Sequence, residues 1–317
     1  MELIASLGND IAEVLVPTFQ AYTALLQTPE RRAATHRVKR ETFSYGSHER
    51  QKLDLYTSPL NLEPISQKCR PVLLFTYGGA FANGDRILDA IEEGLVYANV
   101  GAFFAAQAGF DTIILDYRLL KHGAKYPSGG EDFGLGFDWV QGRYQNGGPR
   151  EIYVIANSAG AVHFSTWLFS PEFATQRKKL LSTSSIVRLT KAVFLGCPFR
   201  LDYHGGMKSM LQGYYGSEEE TKKAEPTQLM LTASRDKSSQ DMIIMPAILT
   251  VVAELDPRFI IEPGQEFSEF WRECGGRGDY LVLEGHNHIS PPLSLGTGIP
   301  REEQWGYQVI SWFENRN

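Results

Sequence analysis

Serine is a weak nucleophile, and a chain that makes it a strong one leaves a pattern. A buried strand enters a tight turn, and a helix whose free N–H groups face the hydroxyl leaves it. Residues 151–168, EIYVIANSAGAVHFSTWL, carry that pattern. An apolar run ends at Ala156, Ser158 follows in Ala156-Asn157-Ser158-Ala159-Gly160, and a helical sequence begins at once. Small residues two positions either side of the serine let neighbouring backbone pass close to the turn. The first of them is usually glycine and is Ala156 here. The helix N-terminus favours negative charge developing at the hydroxyl; the plainer alternative is a serine that only caps the helix. A second pattern lies at 71–81, PVLLFTYGGAF, where an apolar run enters Tyr77-Gly78-Gly79-Ala80-Phe81. Paired glycines let a backbone turn its N–H groups toward an oxygen without side-chain obstruction.

An activated serine needs a base, and the base needs a partner that fixes its tautomer. The run 227–232 leads into Ala233-Ser234-Arg235-Asp236, which makes Asp236 the expected acid. Asp241, Glu254 and Asp256 compete, but they fall within or after what reads as an apolar helical pattern. The run 279–283 leads into Gly285-His286-Asn287-His288-Ile289-Ser290, which offers two histidines for the base. His163, a turn into the helix after Ser158, and His204, beside glycines of its own, read as structural.

The elements that must position these residues follow from periodicity. Residues 9–28 read as helix, with Pro17 expected to kink or divide it. The runs 37–45 and 51–56, joined by Gly46-Ser47-His48, read as a hairpin. Short apolar runs then recur at 71–76, 112–116, 151–156, 191–196, 227–232 and 279–283, with helical patterns between most of them. Runs without polar alternation suit strands buried on both faces, and strands alternating with helices mean βαβ units. The expected class is therefore α/β: a mostly parallel, doubly wound sheet in one domain spanning 1–317. An N-terminal helical segment, 1–35, precedes it, and 170–190 and 201–226 are expected to be cap segments shaping a pocket.

Composition excludes several classes. The net charge is −6 and the 31 Lys and Arg residues are scattered, so no phosphate-binding stripe points to nucleic acid. Three distant cysteines, Cys69, Cys197 and Cys274, fit neither a disulfide framework nor a metal site. The first apolar stretch carries Asp10 and Glu13, unlike a secretory signal, and no run approaches the length of a membrane span. A soluble cytosolic protein is expected, with no membrane partner.

Taken together, these motifs resemble the α/β-hydrolases of the carboxylesterase type, close to hormone-sensitive lipase and the kynurenine formamidases. The likeness runs from about residue 50 to the end and includes Leu53-Asp54-Leu55-Tyr56, Asp116-Tyr117-Arg118-Leu119, Pro127, Asp132 and Trp139. These landmarks are mostly structural, and Arg118 reads as an ion-pair partner near the sheet edge. Where those families carry His-Gly-Gly-Gly or His-Gly-Gly-Ala, this chain has Tyr77-Gly78-Gly79-Ala80. The resemblance implies an oxyanion hole from the N–H groups of Gly79, Ala80 and Ala159. It implies the chain order serine, acid, histidine, and aligns His288 with the base, leaving His286 as a neighbour. Tyr77, Phe81 and Asn157 are the expected substrate contacts. The implied reaction is hydrolysis of a small or medium ester, or an amide, through an acyl-enzyme without a cofactor. Gly78-Gly79-Ala80-Phe81 suggests an arylformamidase-like amidase as an alternative. The departures at Tyr77 and Ala156 suggest another: a repurposed scaffold that binds a ligand or guides a cyclisation or condensation. Aromatic residues in and around the expected caps, Trp167, Phe169, Phe173, Tyr203, Tyr214 and Tyr215, hint at a bulky apolar group on the substrate.

Overall fold

All but one of the apolar runs form strands of a single sheet. The structure, a computed structural model, describes residues 2–58, 69–88, 91–235 and 244–315. The strands are β1 (Lys39–Ser44), β2 (Lys52–Thr57), β3 (Val72–Thr76), β4 (Asp111–Leu115), β5 (Arg150–Asn157), β6 (Val187–Leu195), β7 (Ala247–Leu255) and β8 (Gly278–Asn287). Their order across the sheet is β1-β2-β4-β3-β5-β6-β7-β8. The β1–β2 hairpin is antiparallel and β2 pairs antiparallel with β4; β3 through β8 run parallel.

Side chains alternate between two apolar layers. Leu74 and Val154 point into one with Phe137, Trp167 and Phe267. Leu73, Phe75 and Ile155 point into the other with Phe104, Val251 and Trp305. Each fully buried side chain of this size contributes about 1.5–3 kcal/mol of transfer free energy, which is why the central strands need no polar face. Helices Ser128–Tyr144, Ala159–Phe169 and Arg258–Glu273 cover the first layer. Helices Leu95–Gln107 and Pro300–Glu314 cover the second.

One strand reading and one helix reading change. Residues 227–232 lie inside the helix Pro226–Arg235, whose buried residues Pro226, Thr227, Leu229 and Met230 are spaced as one helical face. Conversely, the stretch read as an apolar helix contains β7, in which Ile248 to Ala253 are buried without interruption. Its β-branched residues Ile248, Thr250, Val251 and Val252 suit a strand better than a helix.

Pro17 does not divide the N-terminal helix. Ile11–Leu26 is continuous, because Val14, Thr18, Tyr22 and Leu26 form one buried face that holds it together through the missing N–H.

The expected caps also part company. Residues 170–181 follow the end of helix Ala159–Phe169 remote from Ser158, where Arg177 donates to the carbonyls of Trp167 and Ser170. Gln176 ties the same segment to Gly134 and Asp138. This segment is outer scaffold, and Val187–Leu195 is already sheet. Residues 201–226 leave the C-terminal end of β6, on the serine's side, through helices Lys208–Tyr215 and Glu218–Ala224. There Tyr214 stacks on Phe81, with ring centroids 4.9 Å apart. Among the described residues no helix is long and apolar enough to cross a membrane.

Candidate active site

Ser158 stands alone between β5 and the helix Ala159–Phe169, with φ 52° and ψ −119°. A left-handed serine costs on the order of 1–3 kcal/mol, and such strain persists only where the surroundings impose it. They do. A Cβ on Gly160 would meet the carbonyl oxygen of Tyr77 at 2.6 Å, and one on Gly78 would meet the Cβ of Ser158 at 2.8 Å. The end of β3 therefore presses against the turn, which explains the need for small residues around it. Ala156 sits in register with Thr76 on one side and Phe194 on the other, its methyl fully enclosed. Ser158 occupies the N-cap position, but its side chain makes no bond to the helix, so its hydroxyl is not spent on capping.

Instead, its Oγ lies 3.0 Å from Nε2 of His288. Nδ1 of His288 lies 2.6 Å from Oδ1 of a carboxylate, and that carboxylate is Asp256. Asp256 is the residue after β7, and its Oδ2 accepts from the Ala253 N–H at 2.7 Å. The expectation of Asp236 as the acid therefore gives way. Asp236 lies outside the described residues, the segment before it is helix, and the strand end that meets the histidine belongs to β7. A carboxylate at the end of a late strand does meet the histidine, but that strand is β7 and not the run 227–232. With Nδ1–H held by Asp256, Nε2 is left with its lone pair toward the serine O–H.

The two histidines of the last loop separate cleanly. His286 is buried with Nδ1 2.9 Å from the Ser290 hydroxyl, and burial pushes it down to about 4. Asn287 shapes the turn: its Oδ1 accepts from the N–H groups of Ile289 and Ser290, both at 3.0 Å, and its Nδ2 donates to Thr18 Oγ1 at 2.8 Å. The N-terminal helix thereby braces the loop that carries His288. Gly196, at φ 57°, makes room for the ring, since a Cβ there would approach Cε1 of His288 at 3.1 Å.

On the other side of Ser158 the loop after β3 takes an unusual path. Gly79 has φ 136°, and Ala80 and Phe81 have φ 50° and 64°. Among the described residues, the N–H groups of Gly79, Ala80 and Ala159 donate to no acceptor. Backbone N–H groups without an acceptor are the kind of donor that a developing oxyanion requires.

The expected substrate contacts fare differently. Tyr77 is fully buried and turns away from Ser158, its hydroxyl bonded to Asp116 and Arg50, so it belongs to the scaffold. Burial, with Asp116 beside it, pushes the Tyr77 phenol well above its ordinary range. Burial likewise pushes the Asp116 carboxyl up to about 7, against the pull of Arg50. Phe81 is buried among Tyr214, Tyr215 and His163. Asn157 is held by its Nδ2 donating to the Leu195 carbonyl at 3.2 Å. His163 lies behind Phe81, bonded to the Tyr214 hydroxyl at 3.2 Å, and burial pushes it down to about 3. Arg118 pairs with Asp132 at 2.9 Å and Glu131 at 2.8 Å, at the edge of the sheet. His204 is exposed.

No family model matches the chain. A probable isoprenylcysteine alpha-carbonyl methylesterase of Arabidopsis thaliana is 25% identical over 274 residues, covering 81% of this chain. The chain spans 60% of the length of that relative. Among solved structures, esterase B of Lactobacillus rhamnosis superposes with a TM-score of 0.62 at 16% identity, covering 95% of each chain. A hyperthermophilic esterase of the archaeon Pyrobaculum calidifontis superposes with a TM-score of 0.60 at 18% identity, covering 95% of this chain and 92% of its own.

Proposed function

We propose that this chain, an α/β-hydrolase in fold, is a serine carboxylic ester hydrolase acting through an acyl-enzyme. The observation that carries the reading is the unbroken relay from Ser158 Oγ to His288 Nε2 at 3.0 Å and from His288 Nδ1 to Asp256 at 2.6 Å. In this reading Ser158 Oγ attacks the ester carbonyl while His288 takes its proton, and Asp256 stabilises the imidazolium. The carbonyl oxygen becomes an oxyanion received by the N–H groups of Gly79, Ala80 and Ala159. His288 then protonates the departing alcohol. A water, deprotonated by the same imidazole, attacks the acyl group, and collapse of the second intermediate frees the acid and returns the proton to Ser158.

The fold likeness to esterases and the methylesterase relative support an ester as substrate, and a methyl ester belongs in the first panel tested. Ser158→Ala should lower kcat for p-nitrophenyl acetate or butyrate by about 10⁴–10⁶-fold and abolish labelling by a fluorophosphonate probe. Retained turnover in that variant would remove the proposal. A clear preference for N-formylkynurenine over simple esters would convert it to an arylformamidase. A wild-type serine that resists the probe would favour a repurposed scaffold instead.

A further inference from the structure

We infer that Arg50 is a positioning residue for the oxyanion hole: its guanidinium grips both ends of residues 77–85 and so sets the aim of the Gly79 and Ala80 N–H groups. The inference rests on the serine-hydrolase reading above, because only an oxyanion gives that aim a consequence.

Arg50 enters from the turn before β2. Its backbone is fixed there, with its carbonyl accepting from the Lys52 N–H at 2.8 Å and the Lys52 carbonyl accepting from the Asp116 N–H at 3.0 Å. From this anchored base one planar fork spreads over five acceptors. Nη2 donates to the Tyr77 hydroxyl at 2.8 Å, to the Gly84 carbonyl at 3.0 Å and to Asp116 Oδ1 at 2.6 Å. Nη1 donates to Asp85, and Nε to the Tyr117 carbonyl at 3.3 Å. Tyr77 opens the loop and Gly84-Asp85 closes it, so a single side chain pins its two ends. Tyr117 pins the entry a second time, its hydroxyl donating to the carbonyls of Tyr77 and Gly78, both at 3.2 Å.

The loop needs such a restraint. Gly79, Ala80 and Phe81 lie at positive φ in succession, a path that relaxes unless something outside it forbids relaxation. Gly79 and Gly84 also pack with no space for a side chain: a Cβ on Gly79 would run into the Asn83 carbonyl, and one on Gly84 would meet the Tyr77 ring at 2.6 Å. Tyr77 matters here because its phenol reaches past the sheet to Asp116 and Arg50, tying the loop to the charge cluster.

The cluster itself is a poor device for stability alone. Asp54, Asp85 and Asp116 face Arg50 and Arg86, with Arg86 Nη1 3.7 Å from both Asp85 and Asp116 and its Nε 3.3 Å from Asp54. Buried ion clusters recover little more than their desolvation cost, so we assign this one the role of fixing geometry. Lysine could supply the charge but not the fork.

The test uses the full chain and compares wild type with Arg50→Lys and Tyr77→Phe, each normalised to active serine by fluorophosphonate titration. Benzyl trifluoromethyl ketone forms a hemiketal: Ser158 Oγ bonds to its carbonyl carbon, the hydroxyl proton passes to His288, and the carbonyl oxygen enters the hole as an anion. Benzyl methyl ketone occupies the same pocket with far less adduct. Arg50→Lys should lower kcat for p-nitrophenyl butyrate by about 10²-fold with KM changed less than about threefold. It should weaken the trifluoromethyl ketone by a similar factor and leave the methyl ketone unchanged. Tyr77→Phe should do the same at about 10-fold. A merely structural role would reduce the titratable serine or weaken both ketones equally, and either result overturns the inference. So does a variant with wild-type kcat and ketone ratio. If Arg50→Lys does not fold, Tyr77→Phe decides on the same criteria. A wild-type chain that neither turns over ester nor takes up the trifluoromethyl ketone overturns the Ser158 reading, and this inference with it. An active wild type with insensitive variants overturns the inference alone.

Discussion

Two loops approach Ser158 from opposite sides and are held by opposite chemistry. The loop after β3 is pinned by ions: Arg50, Asp85 and Asp116, with Arg86 behind them. The turn carrying His288, residues 286–290, is shaped mainly by neutral groups, Asn287, Ser290, Thr18 and the uncharged His286, with one carboxylate, Glu254, accepting from the Gly285 N–H at 2.6 Å just before it. The difference follows from what each loop presents. Backbone N–H groups do not titrate, so charges can hold them in place without altering them. In the proposed mechanism the imidazole takes and gives a proton and so answers to every nearby charge; among the described residues the carboxylate that bonds to it is Asp256.

The comparison breaks most sharply at that carboxylate. Asp256→Asn leaves shape and packing almost unchanged but frees the imidazole to adopt the wrong tautomer. Ester turnover should fall about 10⁴-fold, measured as kcat on p-nitrophenyl butyrate with unchanged thermal stability. Asp236→Asn measured beside it should stay near wild type; a larger loss there would return the acid role to residue 236.

A smaller effect is expected at the brace. Thr18→Val removes the acceptor for Asn287 Nδ2 and leaves a buried amide donor unmet, costing about 1–3 kcal/mol in chemical denaturation. Because the lost bond supports the turn holding His288, kcat should fall by about 10-fold while the trifluoromethyl-to-methyl ketone affinity ratio stays fixed. A changed ketone ratio would mean that the two loops are not independent.

A test that leaves turnover aside sharpens the comparison through pH. His163 lies behind Phe81 and His286 beside the turn that carries His288, and burial lowers them from 6.5 to about 3 and about 4. Below pH 6.5 the unfolded chain takes up protons that the folded chain refuses, so each residue makes stability fall as pH falls, by about 1.4 kcal/mol per unit. That loss should stop near pH 4 for His286 and continue to about pH 3 for His163. Replacing either with glutamine should flatten urea-derived stability against pH within its own window by one proton. An unchanged slope would show that the histidine is protonated in the fold.

Much of this arrangement was legible in the residues. The β5–turn–helix signature located Ser158, and Tyr77-Gly78-Gly79 marked the facing loop, because both depend on contacts within a few residues of chain. The carboxylate that meets His288 was not legible, for a local reason. TQLMLT at 227–232 and AILTVVAEL at 247–255 are both short apolar runs, and only tertiary packing decides which becomes helix and which becomes strand. The β-branched residues of the second run were the available signal. Arg50 was invisible for a different reason. Its partners Tyr77, Asp85 and Asp116 lie 27, 35 and 66 residues away, and no spacing rule reaches that far. The position of 170–181 could not be read either, since a polar helix looks the same at either end of a sheet.

The helix that follows Ser158 has every residue from Ala159 to Phe169 buried, leaving it no solvent face. Selection for a new substrate therefore has almost nothing to work with along that helix, because each side chain already has a structural duty. Diversification of this scaffold has to come through its periphery: the stretch around Tyr203 to Tyr215, the rim beyond Phe81, and Ile289 beside His288. Libraries built for altered specificity should concentrate their randomised codons there and leave the helix untouched.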